Sequence, residues 1–253
     1  MNQPYSMKII NKKLILLLLI TITGMVSTIN AHPKMTTEKV LNPKEQSIIS
    51  IAALTAKGDL SRLKEELNTG LDAGLTVNEI KEILVHLYAY CGFPRSIRGL
   101  QTFMEVIEER KAKGINDVAG AEALAIKNGQ SKYERGKKIL AELTKTQQPD
   151  TLTGYSAFAP VIDTFLKEHL FADIFERNTL SYAQRELVTI SVIATIGDAE
   201  PMLRSHLIIS LNAGITPEQL QQFVGVIKSV IGKKQAKAAK VVLDEVLKNN
   251  RKQ

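Results

Sequence analysis

Cysteine is nearly absent from this chain and tryptophan wholly so: one Cys, at position 91, and no Trp in 253 residues. A lone cysteine excludes an intrachain disulfide, and with it a dithiol mechanism within one chain. Aromatics make up 5% of residues, and none interleave with a basic stripe, so the +7 formal charge does not read as a nucleic-acid surface. Residues 1–31 carry Lys8, Lys12 and Lys13 and no acid, so the rest of the chain carries only +4, an ordinary solvated excess. The four histidines show no His-x-x-x-His or comparable spacing, so no metal site and no cofactor is expected. Strand-length alternation of apolar and polar residues is also lacking.

Long apolar runs are scarce too. The longest, "LILLLLITI" from Leu14 to Ile22, is short for a bilayer span. It follows the basic "MKIINKK" and precedes the small-residue stretch "TINA", the order of an export signal cleaved near Ala31. The expectation is a mature periplasmic or secreted protein; a retained anchor is the alternative. In an oxidising compartment an exposed thiol is a liability, so Cys91 reads as a small buried apolar residue.

What is present is helical periodicity. Ile48, Ile51, Ala52 and Thr55, then Leu60, Leu63, Leu67 and Leu71, recur at three- and four-residue spacing; Leu187, Ile190, Ile193 and Ala194, then Leu203, Leu207 and Leu211, do the same. The fold class is all-α. The two halves also match each other: "LNPKEQSIISIAALTAKGDLSRLKEELNTGLDAGLTVNEIKEIL" from Leu41 parallels "LSYAQRELVTISVIATIGDAEPMLRSHLIISLNAGITPEQLQQFV" from Leu180. Gly74 and Gly214 suit the left-handed position that ends a helix. Thr76 with Glu79, and Thr216 with Gln219, fit the capping box that starts the next, and Pro217 falls at a first helical position. Each unit is therefore three helices joined by tight turns, closed by a fourth from about Arg95 to Lys113 and from about Lys234 to Asn249. The expected organisation is a signal over 1–31, one unit over 36–127, a linker helix within 128–149 and a second unit over 150–250. The mixed charges from Ser131 to Lys145 predict a solvent-facing helix.

The second half, "LFADIFERNTLS" followed by "RELVTISVIATIGDAEPMLRSHLIISLNAGITPEQLQQ", resembles the carboxymuconolactone decarboxylase family. Its members show an Arg-Ser-Leu-Val-Thr helix, a Leu-Arg-x-His helix, a Gly-Val/Leu-Thr turn and a Tyr-x-Gly-x-Pro helix end. "HLYAYCGFPRS" is similar to that last element, with Tyr90, Gly92 and Pro94 in place. Phe175 stands where relatives often carry Trp, and Ile208 where they carry a second Arg. The resemblance implies a duplicated AhpD-like helical bundle. Single-unit members form rings, so two fused units imply a homo-oligomer, a trimer of double units.

The redox branch of the family uses Cys-x-x-Cys followed by His. Here Ala199 and Met202 stand at the cysteine positions, whereas His206 and Glu186 match the His and its Glu. The resemblance thus implies His206 as a proton shuttle with Glu186 as its orienter, and Arg177 or Arg185 as a fork for a substrate carboxylate. His206 has Glu66 as its counterpart in the first half, so the halves are not equivalent. Glu82, His86 and Tyr90 fall at i, i+4 and i+8 and share a helical face, either to hold a small ligand or to form a polar seam. If the halves pack these two sets together, His86 and His206 belong to one composite pocket. His32 and His169 read as incidental. The leading function is a cofactor-free, lactone-decarboxylase-like lyase acting on a small carboxylated or cyclic molecule. A peroxidase using Cys91 alone, which needs an accessible thiol of low pKa, and a non-catalytic scaffold are the alternatives.

Overall fold

The computed structural model describes residues 40–126 and 129–250. The expected signal segment and His32 lie outside them. The described residues form eleven α-helices and one π-helical segment, with no strand among them. Four helices build the first unit: α1 (Pro43–Lys57), α2 (Leu60–Asp72), α3 (Val77–His86) and α4 (Tyr88–Ala112). Then come α5 (Lys132–Thr144), the short α6 (Gly154–Phe158) and α7 (Pro160–Phe165), and the π-helical Leu166–Phe175. The second unit is α8 (Tyr182–Ile196), α9 (Glu200–Asn212), α10 (Pro217–Val230) and α11 (Lys233–Asn250). None of the helices among the described residues is long and apolar enough to cross a membrane.

The caps repeat with the sequence. Asn42 and Glu45 close a capping box at the start of α1, and Ser181 and Gln184 do so at the equivalent start of α8. Thr76–Glu79 and Thr216–Gln219 do the same for α3 and α10. Each box satisfies two backbone N–H groups that a helix start would otherwise leave open.

Helices α1 and α8 pack against each other at the centre and are buried on nearly every side, from Ser47 to Ala56 and from Arg185 to Thr195. Helices that are apolar all round belong in a core. Their hydroxyls stay satisfied by turning back four residues: Thr55 donates to the Ile51 carbonyl at 2.7 Å and Thr195 to that of Ser191 at 2.7 Å. The units also exchange contacts. Helix α3 of the first packs on α8 of the second, and α10 of the second packs on α1 of the first. That crossing positions the site.

Two local features bear on the sequence reading. The first agrees with it: after His86 the chain makes one more helical turn, and the helix carrying "CGFP" breaks at Gly92, with φ 79° and ψ 163°. Only glycine adopts that backbone without strain, and Pro94 then sits in the first turn of the resumed helix, where its missing N–H is harmless. The second concerns α5, expected to face solvent. Its Ile139 and Leu143 pack with Phe171, Phe175 and Ile209 in a second, smaller core. A Cβ on Gly136 would lie 1.7 Å from the Lys167 carbonyl oxygen, so α5 and the π-helical segment touch backbone to backbone. Charged residues fill most of the positions around this narrow stripe of α5, which hides it from a periodicity reading.

Candidate functional site

The polar cluster begins with Glu82 on α3, which is 3% exposed. Arg177, just past the π-helical segment, grips it with a two-pronged fork: Nε lies 2.8 Å from Oε1, and Nη2 3.0 Å from Oε2. Arg185 of α8, with no exposed surface, donates from Nη2 to Glu82 Oε1 at 2.8 Å and to the Arg177 carbonyl at 2.7 Å. Burial alone would push the Glu82 carboxyl up, but the Arg177 and Arg185 guanidiniums outweigh it and hold the pKa below the usual carboxylate range.

His86 lies one turn along, fully buried. Its Nδ1 is 3.2 Å from Arg185 Nη1, and its Nε2 2.9 Å from Thr189 Oγ1. Arginine only donates, so Nδ1 accepts and the ring is the neutral Nε2–H tautomer. Burial first, then the positive charge of Arg185, drives its pKa well below the ordinary histidine value. Thr189 Oγ1 in turn donates to the Tyr90 hydroxyl at 3.1 Å, and the Tyr90 ring stacks on His86 with centroids 5.6 Å apart. Burial and the charge of Glu186 raise the Tyr90 phenol.

His206 of α9 is a further neighbour of Tyr90. The two rings meet edge to face, 6.0 Å between centroids. His206 Nδ1 lies 3.0 Å from Glu186 Oε2; the histidine side chain is 14% exposed and the carboxylate not at all. The second oxygen, Oε1, is buried with no hydrogen-bond partner, as is Arg185 Nε. Buried polar atoms without partners are uncommon and costly, so their occurrence side by side in sequence marks this part of α8.

The structure therefore brings His206 and Glu186 of the second unit beside Tyr90 and His86 of the first. Three of the candidate residues are enclosed. Arg185 has no accessible surface, and its Nη atoms are taken by Glu82, His86 and a backbone carbonyl, which leaves none to fork a substrate carboxylate. Both Glu82 oxygens are held by arginines, which fits the polar seam rather than a ligand contact. His86 is fully buried, and its acceptor nitrogen faces a cation. Arg177, paired with the same Glu82, keeps 40% of its side chain exposed.

Cys91 is half-buried and donates its thiol to the Leu87 carbonyl, 3.2 Å away. Burial pushes its pKa up to about 11, which leaves almost no thiolate near neutrality. His169 pairs with Asp173 at 3.2 Å on the surface, away from the cluster. Among the described residues no three His, Cys, Asp or Glu side chains converge as metal ligands do. Thr189 is the member that sequence reading misses. It lies four residues after Arg185 on one helix face, a spacing that was available but masked by the apolar run around it.

The equivalent place in the other half is chemically different. The counterparts of Glu186 and His206 are Ser47 and Glu66, which share a hydrogen bond; burial raises the Glu66 carboxyl despite Ser47 and Arg62. Glu82, His86 and Tyr90 are replaced by Gln222, Val226 and Val230. Gln222 Oε1 accepts from the Leu41 N–H at 2.9 Å, and Gln46, standing where Arg185 does, donates to the Leu41 carbonyl at 2.9 Å. One half of the pseudo-symmetric pair carries the imidazoles; the other is an amide clamp.

An all-α bundle duplicated about two central helices, with one buried Glu–His pair at the crossing, defines the class. The chain belongs to the carboxymuconolactone decarboxylase family, whose profile matches residues 26–103 and again 160–245 as two tandem units. It is 25% identical to a 4-carboxymuconolactone decarboxylase of Acinetobacter baylyi over 123 residues, 48% of this chain and 91% of that protein. It is also 26% identical to an uncharacterized protein of Methanocaldococcus jannaschii over 77 residues, 30% of this chain and 72% of that protein.

Proposed function

We propose that the protein is a cofactor-free acid–base enzyme, a decarboxylase-like lyase acting on a small cyclic, carboxylated substrate of the lactone type. The observation that carries this reading is Glu186: a carboxylate with no exposure, one oxygen on His206 Nδ1 and the other without a partner. A buried carboxylate on Nδ1 leaves Nε2 of His206 as the nitrogen for proton exchange and stabilises the imidazolium when it forms. In the reaction the bond between a ring carbon and the substrate carboxylate breaks and CO2 leaves. The electron pair moves onto the conjugated lactone carbonyl as an enolate, and the Nε2 proton of His206 returns to carbon. Solvent restores that proton. Arg177, part of whose guanidinium side chain is exposed, is assigned to the substrate carboxylate.

The thiol alternative is the weaker reading, because Cys91 is protonated near neutrality and has no second cysteine to resolve it. The proposal extends to an exported, homo-oligomeric enzyme. Export is supported by the basic and apolar order of the first residues, and assembly by the bare apolar side chains of α6 and α7, where Phe158 is 93% exposed and Phe165 59%. Cell fractionation and light scattering test these two points.

The deciding experiment is decarboxylation of carboxymuconolactone by the chain beginning after Ala31, beside His206→Ala and Cys91→Ala. Turnover that persists in Cys91→Ala and is lost in His206→Ala is the expected result. Turnover lost in Cys91→Ala instead would return the chemistry to the thiol.

A further inference from the structure

The hydrogen bonds between Arg185 and Tyr90 all run one way, and their direction can be derived atom by atom. Arg185 has no acceptor, so its Nη1–H must donate to His86 Nδ1, 3.2 Å away. A neutral imidazole then carries its one proton on Nε2, which donates to Thr189 Oγ1 at 2.9 Å. Thr189 has one proton left to place. Three other buried hydroxyls in these two central helices, Thr55, Ser191 and Thr195, return that proton to the carbonyl four residues back. Thr189 instead turns across the unit boundary and donates to the Tyr90 hydroxyl, 3.1 Å away. The phenol oxygen is thus occupied as an acceptor, so its own proton points away from Thr189; the His206 ring is a neighbour, edge to face with that of Tyr90 at 6.0 Å between centroids.

We infer that Tyr90 is the hydrogen-bond donor to the oxygen that gains charge in the reaction, and that Thr189 is the positioning residue that aims it, through a relay whose polarity Arg185 sets. This rests on the proton-transfer reading of His206. Donors fixed before charge develops stabilise it without reorganisation, which is where such groups contribute most. The relay also gives a role to features that the acid–base pair leaves unused: a fully buried histidine, an arginine paired with an internal carboxylate, and a threonine that bonds outside its own helix. Glu82 completes it. By neutralising Arg185 from the side opposite His86, the carboxylate lets a full positive charge stand in the core.

The test has two arms. In the first, 15N and 1H NMR of the wild-type chain reads His86 and Tyr90 directly. The expected spectrum shows an Nε2–H tautomer at His86, and a Tyr90 hydroxyl proton with its cross-peak to the His206 ring rather than to the Thr189 methyl. An Nδ1–H tautomer, an imidazolium, or a Tyr90 proton directed at Thr189 overturns the relay. In the second, decarboxylation of carboxymuconolactone is followed in Thr189→Val, Thr189→Ser, Tyr90→Phe and the Thr189→Val/Tyr90→Phe double variant. Thr189→Val is expected to lower kcat about tenfold with KM within about twofold, and Thr189→Ser to restore it. The double variant is expected to lose no more than Tyr90→Phe alone, because residues acting in one chain are not additive. Fully additive losses, or a change confined to KM, overturn the positioning role. Absence of wild-type turnover beside the expected NMR signals overturns the proposed reaction and supports the relay, so the two failures are distinguishable.

Discussion

His206 Nδ1 stands 3.0 Å from Oε2 of Glu186, joining the middle of α9 to a carboxylate with no exposed surface near the start of α8. Glu186→Gln preserves shape and a hydrogen-bonding group but cannot stabilise an imidazolium. It is expected to lower kcat/KM roughly a hundredfold, the scale of a lost acid–base partner, with the denaturation midpoint little changed. Glu66→Gln, at the pseudo-equivalent place, is expected to leave turnover at the wild-type level. Steady-state kinetics on the three proteins check both statements.

Glu82 tests the arginine cluster as structure rather than chemistry. Glu82→Ala leaves Arg185 as a buried charge short of its counterion, and should cost about 3–5 kcal/mol in urea unfolding. The pH dependence has a definite sign. The folded-state pKa of Glu82 is lowered, so its contribution is complete above the unfolded carboxyl value of about 4.3 and is lost as pH falls through the lower folded value. The gap between wild type and Glu82→Gln should therefore narrow in strongly acidic buffer and be constant at neutrality.

His86 should make the protein acid-labile earlier than its carboxylates do. Its folded pKa is depressed, so below about 6.5 the unfolded chain takes up a proton that the native state refuses. The unfolded state then binds more protons, and stability falls with decreasing pH by up to about 1.4 kcal/mol per unit. Urea midpoints measured from pH 7 to pH 5 should show this slope in the wild type and a shallower one in His86→Gln.

Gly136→Ala probes the contact between α5 and the π-helical segment. A Cβ there meets a backbone carbonyl oxygen at 1.7 Å, which no rotamer can relieve. The expected cost is at least the ~1–3 kcal/mol typical of overpacking, read as a lowered thermal midpoint. A midpoint equal to wild type would show that the two segments part without penalty.

Much of the fold was legible because its signals are local. The capping boxes at Thr76 and Thr216, the glycines at 74 and 214 and the repeat itself are read within a few residues, and each stands in the structure where the spacing puts it. The pairing of Glu82 with Arg185 was not legible, since nothing in spacing joins positions 103 residues apart; Arg185 was offered to a substrate carboxylate, and Glu82 to a ligand or a polar seam. Thr189 was hidden for a different reason: in an apolar stretch a β-branched hydroxyl passes for core. The solvent-facing reading of α5 missed one narrow stripe, Gly136, Ile139 and Leu143, because charged residues fill most of the positions around it.

The replacement of His86 and Tyr90 by Val226 and Val230 across the pseudo-twofold has a consequence for how such a chain can change. In a symmetric pair every substitution is tested twice, once as chemistry and once as scaffold, because both copies must do both. Here the two demands fall on separate stretches. A new side chain at Val226 is judged by volume, and one at His86 by where it sends a proton. Two unlike units in one chain separate demands that identical copies would share, so substitutions at the amide-clamped place are limited by packing alone.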